Sequence, residues 1–156
     1  MPIKTILVPT DFSKNAQAAF ETASDLARQL GARLEVLHVQ DGSTLRVALQ
    51  EGLLESATSE SDVQAEIHKL TRMRFSSLMA GTHAADVEVN LVERRGEAEV
   101  EIVSYARESQ AQMIVMGMRG ATAWGALASF LLGSVTENVL RNAPCPTLIV
   151  RLAETA

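Results

Sequence analysis

The chain has 156 residues, 47% apolar and 21% charged, with a net charge of −5. That length suits one domain with a substantial core, and the acidic balance argues against a nucleic-acid binder, which needs clustered Lys and Arg. The lone cysteine, Cys145, cannot form an internal disulfide, and neither the first four residues nor the uncharged run at 120–136, with its three glycines, suits a signal peptide or a spanning helix of ~20 apolar residues, so a reducing cytoplasm without membrane contact is the expected setting.

In chain order, β-prone apolar runs alternate with helix-periodic segments, the pattern of parallel βαβ units. Residues 5–8 read as a strand buried on both faces that stops at Pro9. A helix comes next with Ala16, Ala19, Phe20, Ala23, Leu26, Ala27 and Leu30 on its apolar face, Ser13 as N-cap and Gly31 as stop. Residues 33–39 read as a second strand. Residues 41–62 are weakly patterned: 45–57 suit a short helix interrupted by Gly52, and 58–61 a break. A better helix covers about 62–79, with Val63, Ile67, Leu70, Phe75 and Leu78 as its stripe. The alternation over 87–92 predicts a third strand near a sheet edge. A helix over 98–108 burying Val100, Val103 and Ala106 comes next, then a buried strand at 113–116, a helix at 134–141 and a fifth strand at 146–150. Five strands and four main helices make one doubly wound α/β domain, with right-handed crossovers placing helices on both sheet faces. Ligands in such sheets bind at the carboxyl ends of strands where the order reverses, so the loops after Val8, Val39 and Met116 are the candidates.

The third loop is the most informative. Gly117-Met-Arg-Gly120 succeeds a buried strand, and Gly133-Ser134 opens a helix after a gap of twelve residues. Glycines let the backbone approach a bulky anion or adopt positive φ. A helix start adds free N–H groups and a favourable dipole. With hydroxyls from Ser134 and Thr136 and the charge of Arg119, the set can hold a triphosphate. A purely structural reading stands beside it: Ser134-Val-Thr-Glu137 is also a capping box, which needs no ligand. The chain has no Gly-Lys pair of a P-loop and no Gly-x-Gly-x-x-Gly after strand one. Asp11, at the end of that strand, can bond an adenine or ribose, or simply form a turn. His38, His68 and His83 lack metal-ligand spacing, and His38 belongs to the sheet or its rim. Cys145 reads as a small buried residue, Met113, Met116 and Met118 as packing, and Glu93, Arg94 and Arg95 as a solvated strand end. No triad order or paired carboxylates mark a catalytic site.

Six segments in order, Val8-Pro-Thr-Asp-Phe-Ser13, Leu37-His-Val39, Gly96-Glu-Ala98, Ile114-Val-Met-Gly117, Gly133-Ser-Val-Thr-Glu137 and Ala143-Pro-Cys-Pro-Thr-Leu-Ile-Val150, resemble the universal stress protein family. The resemblance spans nearly the whole chain apart from roughly 41–86. It implies one domain over 1–156, variable at 41–86, with the sheet order 3-2-1-4-5 of the adenine-nucleotide-hydrolase-like type. It also implies a stress-response module that binds ATP, since the ATP-binding branch carries Gly-x2-Gly-x9-Gly-Ser/Thr. Carried over, Gly117, Gly120, Gly133 and Ser134 cradle ribose and phosphates, and Val135 and Thr136 add phosphate contacts. Pro9, Asp11 and Val39 line the adenine and ribose end, and Thr10, Met116 and Arg119 complete the set.

The gap between Gly120 and Gly133 is twelve residues here instead of nine. Three extra residues add little closure entropy, and as part of a helical turn they rotate the downstream chain by ~300°. Both ends of the site can therefore survive, while the middle covers or blocks the phosphates. Mg²⁺ is expected to arrive on the phosphates, since no carboxylate cluster offers a dedicated site. The expected protein is a binding module rather than a proficient enzyme, with slow ATP hydrolysis by positioning as its limit. One alternative is an enzyme of the same fold, such as a nucleotide-dependent ligase. Those enzymes carry Ser-Gly-Gly-x-Asp-Ser or His-x-Gly-His where this chain has Pro9-Thr-Asp-Phe-Ser13. Another is a protein-interaction module that needs no nucleotide. Relatives often pair the last strand across a two-fold axis, which implies a homodimer through 146–150.

Overall fold

In the computed structural model, which describes residues 2–119 and 132–152, every residue of β1 (Thr5–Pro9) is buried. A strand without a solvated face needs a layer on each side, and the side-chain alternation supplies both. On one face Ile6 and Val8 pack with Leu34, Val36 and Val115 against Ala19, Phe20, Ala23 and Ala27 of α1 (Lys14–Leu30). On the other, Leu7, Leu37 and Ile114 meet Ile102 and Ala106 of α4 (Ala98–Glu108) and Val139 of α5 (Ser134–Asn142). β2 (Arg33–Gln40), β3 (Val89–Arg95), β4 (Met113–Gly117) and β5 (Thr147–Val150) complete a five-stranded sheet, all parallel, in the order β3-β2-β1-β4-β5. β1 is central, and its neighbours β2 and β4 lie on opposite sides, so a crevice opens at its carboxyl end.

Local chemistry sets the helix ends. The Ser13 hydroxyl accepts from the Ala16 N–H at 3.3 Å, and Gly31 closes α1 at φ +63°. The expectation of a short helix over 45–57 is corrected: α2 is Gly42–Gln50. Asp41 sets that start by accepting from the N–H groups of Ser43 and Thr44 at 2.8 and 3.3 Å. α3 (Glu60–Ala80) begins two residues earlier than expected, where Ser59 caps it by accepting from the Asp62 N–H. Between α2 and α3 lies a small separate core of Ala48, Ile67 and Leu70. On α4, Val100 is 55% exposed rather than buried, and Ile102 takes the core position.

The third strand also shifts, from 87–92 to 89–95, because pairing with residues 34–40 of β2 sets its length. Glu93, Arg94 and Arg95 are therefore ladder residues of an edge strand. Their side chains tie that edge to helices: Glu93 to His68 at 2.5 Å, Arg94 to Glu108, and Arg95 to Glu60 at 3.2 Å. Arg94 also lies 5.0 Å over the Tyr105 ring. Within β2, buried Glu35 accepts from Arg33 Nε at 3.1 Å and from the Tyr105 hydroxyl at 3.2 Å. Burial, then the neighbouring Glu35 charge, raises the Tyr105 hydroxyl above its ordinary range. Among the described residues no helix is long and apolar enough to cross a membrane.

Arg28 on α1 bonds Asp86 at 2.7 Å and Asp25 at 2.8 Å, clamping the approach to β3 onto the helix. The Arg28 hydrogen bond holds the Asp86 carboxyl below its ordinary value of 3.8. The Thr58 N–H does the same for Asp62, and Arg94 lowers Glu108. A carboxylate depressed in the folded state contributes stability above its unfolded pKa and loses it as pH falls through the folded value. The melting temperature should therefore decline in acid below about pH 4. Asp86→Asn should make that decline shallower in calorimetric scans, and an acid limb identical to wild type would show that the Arg28–Asp86 pair contributes nothing.

Candidate functional site

A cavity of about 600 Å³ opens at the carboxyl ends of β1, β2 and β4. It brings together Pro9, Thr10 and Asp11 after β1, Val39 on β2, Met116, Gly117 and Arg119 at β4, and Gly133, Ser134, Val135 and Thr136 at α5. Gly120, and with it the twelve-residue gap, lies outside the described residues.

The turn after β1 is held by its own side chains. The Ser13 N–H donates to Asp11 Oδ1 at 3.0 Å, so Asp11 forms the turn that precedes α1 while also lining the cavity. The Phe12 N–H donates to Thr10 Oγ1 at 3.0 Å, and Phe12 sits at φ +62°, a left-handed conformation uncommon for a bulky residue. His38 is 7% exposed. Its Nδ1 lies 2.9 Å from the Thr10 carbonyl, which only accepts, so Nδ1 carries the proton. Its Nε2 faces the Thr44 hydroxyl at 3.5 Å, and its ring meets Phe12 at 5.0 Å between centroids.

At β4 the protein itself supplies a reason for glycine. Gly117 does not adopt positive φ, and Gly133 sits at φ −64°, so neither needs left-handed backbone. A Cβ on Gly117 would lie 2.9 Å from the Asn15 backbone carbon and oxygen, so its missing side chain admits the first turn of α1. Thr136 is committed too, its hydroxyl donating to the Gly117 carbonyl at 3.1 Å. The capping-box reading of the α5 start is not what forms. Gly133 is the N-cap, no side chain among the described residues caps it, and Glu137 pairs instead with Arg141 at 2.8 Å. The Ser134 end of α5 thus lines the cavity with Glu137 drawn to Arg141. Arg119 Nε is buried and has no hydrogen-bond partner among the described residues.

The strand register identifies one more pair of groups. Odd-numbered residues of β2 direct their N–H and C=O toward β1: Arg33 donates to Lys4, and Leu37 accepts from Thr10 at 2.8 Å. Even-numbered residues face β3, as Leu34 donating to Glu88 and Gln40 accepting from Gly96 show. Val39 therefore points its donor and acceptor toward β1, whose last pairing is Pro9 with Leu37. No backbone bond of Val39 is made to the turn beyond it, among the described residues. An N–H and a C=O side by side on a cavity wall can read the edge of a flat heterocycle.

The profile of the universal stress protein family matches residues 2–151. The chain belongs to the universal stress protein family. A universal stress protein of Methanocaldococcus jannaschii is 32% identical over 150 residues, covering 95% of this chain and 82% of its own length. One from Thermus aquaticus is 33% identical over 148 residues, covering 95% and 98%. Among solved structures, the universal stress protein UspA of Lactobacillus plantarum superposes with a TM-score of 0.67 at 29% identity, over 97% of this chain and 99% of that one.

In this universal stress protein the cavity also reaches beyond the residues singled out from sequence, to Phe12, Thr44, Arg46, Thr71, Arg74 and Ile102. Most of these sit on α2 and α3, where the apolar pattern was weak. The usable signal was Asp41-Gly-Ser43, an N-cap set directly after a strand. Cys145 is half-buried, and burial raises its thiol above the ordinary range, as suits a packing residue. Gly117→Ala should destabilise the protein by about 1–3 kcal/mol, because the new methyl must displace backbone of α1. A melting temperature unchanged in that variant would show that this close approach is not required.

Proposed function

We propose that this universal stress protein binds an adenine nucleotide, ATP, as a regulatory module of the stress response. The observation that carries the reading is the open N–H and C=O pair of Val39 on the cavity wall. Adenine offers an acceptor at N1 beside a donor amino group at N6, the complement of that pair. Guanine offers a donor and an acceptor in reverse. Val39, Ile102 and Met116 supply an apolar wall for the ring. At the other end, the start of α5 and Arg119 give an anion both N–H donors and a charge. Two proteins of similar fold, each 22% identical, support the ligand class: one structure is of a universal stress protein in complex with cAMP, the other of the Archaeoglobus fulgidus protein in complex with dAMP. Among the described residues no group of three His, Cys, Asp or Glu converges, so Mg²⁺ would come held by the phosphates.

Isothermal calorimetry on desalted protein is the test. Mg-ATP should bind, and GTP should bind at least about tenfold more weakly, since it would leave both Val39 groups facing like partners. Gly133→Val should reduce ATP binding by crowding the phosphates. No heat with millimolar ATP would overturn the reading.

A homodimer through β5 belongs to the same proposal. Leu148 is 39% exposed, and β5 lies at the sheet edge with β4 as its only neighbour among the described residues. A bare apolar edge strand invites pairing, and two-fold symmetry closes it. Light scattering should give about twice the 16.8 kDa chain mass. Ile149→Pro should shift it to the monomer, and a wild-type monomer at high micromolar concentration would refute the dimer.

A further inference from the structure

We propose that His38 is a specificity-determining positioning residue: it stops the β1–β2 ladder one rung short and so keeps the Val39 edge open to a ligand. The register fixes what the next rung would be. Thr5 pairs with Arg33 and Pro9 with Leu37, and the Thr10 N–H donates to the Leu37 carbonyl. Continued by one step, the ladder would join the Val39 N–H to the Thr10 carbonyl and the Phe12 N–H to the Val39 carbonyl. Each group that would close it already holds a side-chain partner. The Thr10 carbonyl accepts from His38 Nδ1 at 2.9 Å, and the Phe12 N–H donates to Thr10 Oγ1 at 3.0 Å. Phe12 then takes a left-handed φ of +62°, which ends the extended backbone of β1.

His38 is suited to this because it is held from three sides. Its side chain lies on the opposite face of β2 from Val39, buried to 7% exposure. Phe12 packs on its ring at 5.0 Å, the Thr44 hydroxyl lies 3.5 Å from Nε2, and the Thr10 carbonyl, which only accepts, fixes the tautomer that donates from Nδ1. Without His38 the Thr10 carbonyl would lack its side-chain donor in a buried place, and the nearest backbone donor of the right register is the Val39 N–H. The histidine thus trades a ladder bond for a recognition edge. His38 also lines the cavity, and in this scheme its effect on the Val39 edge is transmitted through Thr10. The proposal rests on the adenine reading only for what the open edge recognises; the state of the ladder is a property of the protein alone.

Two readouts separate the two ideas. The first is amide hydrogen exchange at Val39, followed by NMR without nucleotide. In wild type the Val39 amide should exchange faster than that of Leu37, the last paired residue on this side. His38→Leu should slow Val39 exchange by about tenfold as the rung closes, and weaken ATP binding by about the same factor. His38→Asn should behave like wild type in both, since its amide nitrogen sits as many bonds from the backbone as Nδ1. Wild-type Val39 protected as strongly as Leu37 would overturn the proposal, and that measurement needs no variant to fold. So would a His38→Leu protein, folded by circular dichroism, whose Val39 exchange is unchanged, or a His38→Asn protein that behaves like it. Should wild type bind no ATP, the adenine reading fails, and Val39 exchange still decides the role of His38.

Discussion

The first turn of α1 lies against Gly117 with no side chain between them. A Cβ there would meet the Asn15 backbone at 2.9 Å, so the end of β4 and the start of α1 come together only because this residue is glycine. The same residue offers its carbonyl to Thr136, which ties the first turn of α5 to the end of β4. One position therefore sets the distance from the turn after β1, which continues into α1, to the helix end facing the cavity. If α1 moved away, the Asp11 turn would move with it, and the two ends of the site would lose their spacing. Glycine at this position is required by the frame around the cavity, whatever else it does there.

Most of the fold was readable because the signals were redundant. β1 and β4 are short apolar runs with no polar face, and α1 carries a full apolar stripe between Ser13 and Gly31, both of which act as caps. The strand order came from the family resemblance, not from pattern, and the pairings agree with it. Legibility dropped where structure is set by partners distant in the chain. The start of β3 depends on the register of β2, so the alternation at 87–92 placed it two residues early. α2 depends on a single cap, Asp41, and on packing against α3, neither of which leaves a strong period in nine residues.

The cavity divides in the same way. Residues expected at its rim come from the segments that resemble the family, and those that are described line a common space. Their individual chemistry was harder to foresee. Hydroxyls and carboxylates read from sequence as free donors and acceptors are partly spent on the protein: Asp11 on the Ser13 N–H, Thr136 on Gly117. Backbone groups carry no sequence signal at all. The open pair on Val39 emerges only from counting odd and even residues along a ladder whose end is known. A side chain can be recognised by its letter; an unpaired peptide group cannot.

The two margins of the sheet differ in a way that bears on assembly. The β3 margin is long, seven residues, and closed by ion pairs from Glu93, Arg94 and Arg95 to α3 and α4. The β5 margin is four residues with its apolar side chains partly exposed. A subunit with two adhesive margins can add neighbours without end and grow into a fibre; a subunit with one has a valence of one. A strand that paired with β5 would not be followed by another at the β3 margin, whose guanidinium and carboxylate groups are engaged with their own helices. Asymmetry of this kind between margins would limit stoichiometry before any contact is optimised for affinity.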